Sequence, residues 1–260
     1  MLKNIFLFWG AGLILLFTPA TGVFSQELFH IVDGKNAIPF KSIDSAGNPE
    51  GIFYDILSSA FKRMNVPFMY EAYPWERAQH FVKAKEADAL ITVPTPERLK
   101  YLTASKEAVF TAVMKIFTQR NNANIAQIRS ATSLSDLKGL KFVDFIGDGW
   151  AEEELKQFDI DWSPNLVSAI RKITANRGDV MIENETVVLH TIRAIRKNRS
   201  DFGLEFDQLI SFDAPVAPIS FHLLIRNDSK YLYLLPEFDK TIRAMRKEGE
   251  LNRIRDKWIK

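Results

Sequence analysis

The 260-residue sequence contains no cysteine. This absence excludes disulfide bonds, thiolate metal ligands, thiol catalysis and a lipid anchor attached through cysteine. A chain of this length without disulfides has to be stabilised by its hydrophobic core, and 47% of its residues are apolar. The composition therefore indicates a globular protein.

Other patterns that carry chemistry are also missing. The histidines His30, His80, His190 and His222 include no pair at metal-ligand spacing, and no nucleophile elbow or phosphate-binding loop is present. The 34 basic and 32 acidic residues nearly cancel to a formal net charge of +2, which gives no reason to expect nucleic acid as a partner. We expect no metal, no cofactor and no catalytic activity.

Long apolar runs are confined to the N-terminus. Lys3 precedes the apolar block Ile5–Phe17, and small residues in Val23-Phe24-Ser25 stand where a signal peptidase reads the chain. Charge, length and cleavage site predict a secretory signal peptide over residues 1–25. An uncleaved anchor is the alternative, although the apolar block is short for a membrane span. We expect an exported protein of the periplasm.

Predicted strands and helices alternate along the chain, which is typical of an α/β fold with parallel crossover units. The first series is strand Leu28–Val32, helix 52–64, strand Phe68–Ala72, helix Trp75–Lys85 and strand Ala89–Val93. After strand Val113–Phe117 and an irregular polar segment over residues 119–133, the pattern restarts. It continues with strand Lys141–Ile146, helix Trp150–Phe158, helix Asn165–Asn176, strand Asp179–Ile182, helix Glu185–Asn198, strand Ser220–Ile225 and two C-terminal helices.

A second α/β unit that is entered near residue 120 and left near residue 212 predicts a two-lobed protein. We expect residues 26–118 with 214–260 to form lobe 1 and residues 119–213 to form lobe 2. The crossover segments 113–120 and 213–225 would then act as a hinge, with a ligand bound in the cleft between the lobes.

One stretch, Ala89–Ser105, has the features of a ligand site. Its apolar strand ends in Pro94-Thr95-Pro96, and Arg98 follows at once. Ligands of open α/β sheets bind beyond the carboxyl ends of the strands, and a guanidinium there is suited to hold a carboxylate by two parallel hydrogen bonds. The alternative is a surface arginine that caps a turn.

Seven short motifs, in order over nearly the whole mature chain, make the sequence resemble the family 3 extracellular solute-binding proteins that feed polar amino-acid ABC transporters. They are Pro39-Phe40, Gly51-Ile52-Phe53-Tyr54-Asp55-Ile56, Ala87-Asp88-Ala89, Thr95-Pro96-Glu97-Arg98 with Ser105, Leu137-Lys138-Gly139-Leu140-Lys141-Phe142-Val143, Gly178-Asp179-Val180 and the ending from Gly249 to Trp258. The resemblance implies a two-lobed, type II periplasmic-binding-protein-like fold.

The resemblance also implies roles for individual residues. Arg98 takes the position of the arginine that grips the α-carboxylate of the ligand, and Trp75 that of the aromatic residue that packs on it. The turn Gly147–Gly149 takes the position that offers backbone N–H groups to an anion. The acidic position that receives the α-amino group falls on Asn184, and a substitute for it from Glu183 or Glu185 is the alternative.

The chain departs from the family pattern near these positions. Ile91 and Val93 replace small hydroxyl residues before the arginine, which leaves Thr92 and Thr95 as candidate contacts. Asp148 lies in the anion-binding turn, where it could instead cap the following helix. Phe40 and Trp75 are expected to supply apolar contact to a ligand, with packing inside lobe 1 as the alternative.

These observations predict a monomeric solute receptor that captures a small polar, carboxylate-bearing, amino-acid-like solute by lobe closure. Its expected partner is a membrane ABC permease or a membrane sensor. Two alternatives stay open: an orphan ligand-sensing module, and a dehydratase-like enzyme on the same scaffold. The enzyme would need a glutamate of raised pKa in the cleft, either Glu183 or Glu185.

Overall fold

The computed structural model describes residues 28–35, 37–198 and 206–260. The predicted signal peptide over residues 1–25 lies outside the described residues. In the part that is described, no helix combines the length and apolarity needed to cross a bilayer.

The strands, in chain order, are β1 (Phe29–Gly34), β2 (Ser42–Ile43), β3 (Pro49–Glu50), β4 (Phe68–Tyr73), β5 (Ala89–Thr92), β6 (Leu102–Ala104), β7 (Phe110–Ala112), β8 (Met114–Gln119), β9 (Phe142–Phe145), β10 (Ile160–Ser163), β11 (Met181–Asn184), β12 (Leu209–Asp213) and β13 (Ile219–Arg226). The helices are α1 (Ile52–Met64), α2 (Trp75–Lys83), α3 (Pro96–Leu99), α4 (Ile125–Ser130), α5 (Gly149–Glu154), α6 (Leu166–Thr174), α7 (Glu185–Lys197), α8 (Leu235–Lys247) and α9 (Glu250–Ile259). Short 3-10 turns span Leu134–Leu137, Phe206–Gln208 and Leu232–Leu234.

The first lobe is built on a sheet with the strand order β4-β1-β5-β13-β6, and β7 also pairs with β13. Strands β1, β4 and β5 run parallel, as the alternating pattern predicts, while β13 is antiparallel to β5, β6 and β7. The carboxyl ends of β1, β4 and β5 therefore meet at one edge of the sheet, where ligands bind in α/β folds.

The second lobe contains the antiparallel strands β11-β8-β12 and the parallel pair β9 and β10. A parallel bridge between Phe142 and Val180 joins the two groups. The strand Ile160–Ser163 and the helix Ile125–Ser130 are absent from the sequence prediction, which assigned no strand after Phe158 and an irregular segment over residues 119–133. The α/β class and the two-lobed architecture are confirmed.

Helix α1 forms because its apolar residues recur at helical spacing on one face, where Ile52, Ile56 and Ala60 are buried. Its N-cap is Gly51, whose φ of 125° is accessible to glycine but is rarely adopted by residues with a Cβ. A Cβ at this position would collide with the carbonyl oxygen of Phe40. The glycine thus permits the close approach that places the Phe40 loop beside the start of the helix.

Helices cover both faces of the first sheet. One apolar core packs α1 and α8 against Phe29, Ile31 and Leu223, with α9 at its margin, and the other packs α2 against Val32 and Leu90. In the second lobe, α5 packs on one face of the strands and α6 with α7 on the other. Both sheets are therefore fixed from two sides, and the ends of their strands are left to carry the site.

The two sheets are connected at residue 113, between β7 and β8, and at residues 214–218, between β12 and β13. Strand β8 is hydrogen-bonded along its length to β11 and β12 of the second lobe. The connections fall at the starts of the two predicted hinge segments. The lobe boundaries at residues 118 and 214 stay a prediction, as does the closing motion.

Candidate functional site

Arg98 lies in the short helix α3 directly beyond the carboxyl end of β5. Thr95 is the N-cap of this helix, and its hydroxyl accepts a hydrogen bond from the backbone N–H of Arg98 at 3.4 Å. The guanidinium Nη1 donates to the carbonyl of Val93 at 3.0 Å. These two contacts hold the arginine at the sheet edge, so Thr95 positions Arg98 through the backbone.

The guanidinium of Arg98 is incompletely satisfied. Its Nε is buried and has no hydrogen-bond partner. Within residues 28–35, 37–198 and 206–260, no carboxylate lies within ion-pair distance of Arg98. A charged group held at a sheet edge without a counter-ion is a suitable site for an anionic group of a ligand.

Trp75 is the first residue of α2, at the carboxyl end of β4, and it lies beside Arg98. The guanidinium carbon of Arg98 is 5.4 Å from the centre of the Trp75 ring, and the ammonium nitrogen of Lys41 is 4.9 Å from it. Both distances are within the range of cation–π interactions. Lys41 and Arg98 thus both lie beside the same indole ring.

The sequence prediction did not include Lys41 or its partner Asp33. Asp33 is fully buried near the end of β1, and its carboxylate accepts hydrogen bonds from Lys41 Nζ at 2.5 Å and from the Tyr70 hydroxyl at 2.9 Å. Burial raises the pKa of the Asp33 carboxyl, although Lys41, Tyr70 and the Gly34 N–H act in the opposite direction. An aspartate followed by glycine at a strand end was the only sequence signal for this pair.

The other first-lobe candidates lie deeper. Thr92 is the buried last residue of β5 and faces His222 of β13 across the ladder. Phe40 is partly buried, and its ring is 5.4 Å from the ring of Phe53 and 5.1 Å from that of Phe110. These contacts place Phe40 in the aromatic core that borders the site.

Asp148 caps helix α5 in the second lobe. One carboxylate oxygen accepts hydrogen bonds from the backbone N–H groups of Trp150 at 2.9 Å and Ala151 at 3.1 Å. Gly149 is the first residue of the helix. The Asp148 side chain thus already occupies two of the backbone donors near the turn where the family resemblance implies an anion site.

Three buried carboxyl groups, which we call the carboxyl cluster, lie around this cap: Asp144, Asp148 and Glu183. Glu183 lies beside Asp148, and its own carboxyl group accepts a hydrogen bond from the backbone N–H of Asn184. Burial, followed by the charge of Asp148, raises the pKa of Glu183 well above its ordinary value. Burial and the Asp148 charge thus both favour the protonated form of Glu183.

Asp144 lies on β9 and is the least satisfied member of the cluster. One carboxylate oxygen accepts the N–H of Phe145 at 2.8 Å, and the other is buried without a hydrogen-bond partner. Burial and the neighbouring charge of Asp148 raise the pKa of Asp144 to about 7. Among the described residues, no lysine or arginine pairs with any of the three carboxyl groups.

Asn184 serves as the N-cap of α7, where its side-chain oxygen accepts the N–H groups of Thr186 at 2.9 Å and Val187 at 3.3 Å. Glu185 is more exposed and lies 4.0 Å from Lys115. Of the three acidic-position candidates, Glu183 is the one that joins other carboxyl groups. In the described ranges no set of three acidic or histidine side chains has the arrangement of a metal site.

The arrangement has two chemically different halves. The first lobe presents Arg98 and Trp75 at the carboxyl ends of parallel strands, and the second presents buried carboxyl groups at the ends of β9 and β11. One half is suited to an anionic group and the other to a cationic group or a hydrogen-bond donor. The candidates Arg98 and Trp75, which were predicted separately, lie side by side, and so do Glu183 and Asp148.

A comparison with profiles of protein families shows which family the chain matches. A profile of the bacterial extracellular solute-binding proteins, family 3, matches residues 30–260. A comparison with curated protein sequences gives no match.

Solved structures are similar over nearly the whole described chain. The L-cystine solute receptor of Neisseria gonorrhoeae, in its unliganded open conformation, has a TM-score of 0.68 at 16% identity, covering 89% of this chain and 92% of that one. An ancestral cationic amino acid solute-binding protein has a TM-score of 0.66 at 20% identity, covering 90% and 96%. A histidine kinase sensor domain with similarity to periplasmic binding proteins has a TM-score of 0.57 at 20% identity, covering 89% and 95%.

Proposed function

Because this chain belongs to the bacterial extracellular solute-binding proteins of family 3, we propose that it captures a small, polar, carboxylate-bearing solute of amino-acid type. Binding would close the two lobes over the solute, and the closed form would present it to a membrane ABC permease. The family itself was expected from the seven sequence motifs, and that expectation is confirmed.

The observation that carries the proposal is the state of Arg98. Its guanidinium lies against Trp75 at 5.4 Å, is anchored through one nitrogen to Val93, and has no carboxylate partner in the described part of the chain. A carboxylate of the solute would replace water around the free face of the guanidinium and form charge-assisted hydrogen bonds. Trp75 would provide the apolar wall beside it.

The carboxyl cluster supplies the complementary half of the proposal. The neighbouring carboxyl groups of Glu183 and Asp148 would accept the ammonium group of a zwitterionic solute, with Asp144 nearby. Each half binds one end of the solute, so both ends are held only when the lobes close. Thr92, Thr95, Phe40, Gly149 and Asn184 remain proposed members of the same ligand site.

Location and partner follow from this role. The predicted signal peptide over residues 1–25 would direct the chain to the periplasm, where the receptor would meet its permease as a monomer. The mature N-terminus checks the first step, because cleavage after Ser25 would leave Gln26 as the first residue of the secreted chain.

A thermal-shift screen tests the proposed function. The panel contains neutral, acidic and basic amino acids, small dicarboxylates, amines without a carboxylate, and short oligosaccharides. A ligand at 100 times its Kd adds about 2.7 kcal/mol to the free energy of unfolding. We expect the shift to be confined to compounds that carry a carboxylate, and a shift produced only by amines or sugars would contradict the proposal.

The raised pKa of Glu183 favours one other candidate, a dehydratase-like enzyme on the same scaffold. A buried glutamate of raised pKa is the kind of group that such an enzyme would use as general acid. Incubation with the best ligand of the screen separates the two functions. Ligand that is recovered unchanged supports the receptor. A product that forms with the wild type but not with a Glu183→Gln variant supports the enzyme.

A further inference from the structure

The second cation beside Trp75 has an unusual environment for a lysine. Lys41 follows β1, and its backbone N–H and C=O both bond to Ala37, which fixes the loop that carries it. Its side chain is 14% exposed and ends 2.5 Å from the Asp33 carboxylate, which is 0% exposed. The ammonium is therefore drawn inward, towards a buried charge.

This ammonium lies within the candidate site. Its nitrogen is 4.9 Å from the centre of the Trp75 ring and 5.8 Å from that of Phe53. A Cβ placed on Gly34 would be 3.3 Å from the Lys41 nitrogen and 3.5 Å from Trp75 Cε3, so the ammonium and the indole converge over the end of β1. The Lys41 ammonium therefore lies between the buried Asp33 carboxylate and the Trp75 ring.

The charges around Asp33 determine which chemical groups can bind beside Trp75. Asp33 faces one ammonium, from Lys41, and two neutral donors, the Tyr70 hydroxyl and the Gly34 N–H. With Lys41 in place, Asp33 is neutralised and the indole carries cations from both Lys41 and Arg98. Without Lys41, the space beside Asp33 would have an aromatic wall and a carboxyl group without a cationic partner, which in its ionised form provides the second feature that binds an organic cation.

We propose that Lys41 determines the charge selectivity of the site: its ammonium occupies the place beside Asp33 and Trp75 that a cationic side group of a solute would need. The receptor accordingly takes amino-acid-like solutes with neutral or acidic side groups and rejects those with a lysine-like or arginine-like side group. This inference rests on the proposed function and adds the chemical class of the solute's second group.

A purely structural role for Lys41 makes a different prediction. If the ion pair serves only the packing of the first lobe, removal of the lysine lowers stability but leaves the relative affinities for different solutes unchanged. A change in selectivity is therefore the measurement that separates the two roles.

The experiment uses calorimetric titration of the mature chain with L-glutamine, L-glutamate, L-lysine and L-arginine. The test variant is Lys41→Met, which keeps the length and apolar stem of the side chain. Lys41→Arg keeps the cation. The double variant Asp33→Asn/Lys41→Met removes both charges, so that it contains no unpaired buried carboxylate. Lys62→Met, on the exposed end of α1, is the matched surface control. The titrations are run at pH 7 and at pH 8, because burial raises the pKa of Asp33 and a higher pH favours its ionised form.

We expect the wild type, Lys41→Arg and Lys62→Met to prefer L-glutamine or L-glutamate over the two cationic amino acids. Lys41→Met should shift the affinity ratio towards L-arginine or L-lysine by about 100-fold, in line with exchange of one buried charge partner for another. The double variant should lose that gain.

The inference is overturned if the wild type binds L-arginine or L-lysine as tightly as L-glutamine, or if the ratio in Lys41→Met stays within threefold of the wild type. In both cases the proposed function survives, since an amino acid is bound. Binding of none of the four by any variant overturns the inference together with the amino-acid type of the proposed solute.

Discussion

The guanidinium carbon of Arg98 lies 5.4 Å from the centre of the Trp75 ring, although the two residues belong to different helices and follow different strands. Strands β4 and β5 both pair with β1 in parallel, so their carboxyl ends and the helices that follow meet at one edge. The indole lies against one side of the guanidinium. Arg98 is thereby held ready for an anion.

This relationship predicts a graded effect of substitutions at Trp75. Trp75→Phe keeps a π face and should weaken binding of the strongest ligand of the screen by only a few-fold. Trp75→Leu keeps apolar volume without the π face and should raise Kd by about tenfold, the equivalent of about 1.4 kcal/mol. Calorimetric titration measures both values, and equal affinities for Leu and Trp would show that the ring does not support the arginine.

A second prediction concerns pH and Asp144. Its folded pKa is about 7, above the ordinary value of 3.8, so the folded state binds more protons than the unfolded state between these values. The contribution of Asp144 to stability is thus neutral below pH 4 and becomes increasingly unfavourable as pH rises towards 7. Asp144→Asn should therefore raise the free energy of unfolding at pH 8 by about 2 to 4 kcal/mol, and hardly at all at pH 4.

Urea unfolding at pH 4, 6 and 8 checks this dependence. Asp159→Asn, on an exposed position after α5, serves as the control and should show no such trend. A gain in Asp144→Asn that is the same at all three pH values would rule out the burial of an ionised carboxylate as its cause.

A third prediction separates the capping role of Asn184 from a contact with the ligand. Its side-chain oxygen bonds to Thr186 and Val187 at the start of α7. Asn184→Ala should lower the free energy of unfolding by about 1 kcal/mol, and Asn184→Ser should restore most of it because serine is also a good N-cap. If Asn184→Ser keeps stability but loses ligand affinity, the residue also contacts the solute. An Asn184→Ala variant as stable as the wild type would contradict the cap.

A fourth prediction concerns the backbone that supports the Phe40 loop. Gly51 has a φ of 125°, and an added Cβ would meet the Phe40 carbonyl group and the Lys41 Cα. Gly51→Ala should cost about 2 to 4 kcal/mol, because backbone has to move. Gly149→Ala is the matched control, since a Cβ there has no atom within 4 Å and the helical backbone accepts alanine. Equal unfolding free energies for the two variants would contradict this account.

Much of the fold was predictable because its main elements have strong local signals. Helix α1 repeats apolar residues at helical spacing between Gly51 and Asn65, and its predicted bounds agree with the structure. Helix α4 lacked such a signal. Its start is fixed by Asn122 and Asn124, which both donate to Asp179 far along the chain, and sequence spacing does not reveal such a contact.

The same distinction applies to the site. Arg98 and Trp75 carry family signals, and both follow parallel strands whose carboxyl ends lie at one edge of the sheet. Lys41 and Asp33 are joined by an ion pair between a loop and a strand end, so only the folded chain reveals them. Asp144 was missed for a related reason: its significance comes from burial beside Asp148, and not from its place in a motif.

The measurement that tests the central claim most directly is the affinity of Arg98→Ala for the strongest carboxylate ligand of the screen. Arg77→Ala is the matched control, because Arg77 also lies over aromatic rings, those of Tyr73 and Phe81, but on the exposed side of α2. We predict that Arg98→Ala raises Kd at least about 100-fold, as expected when a charge-assisted contact to a carboxylate is removed, while Arg77→Ala changes it less than threefold. An Arg98→Ala variant that binds the same ligand within threefold of the wild type would contradict the account.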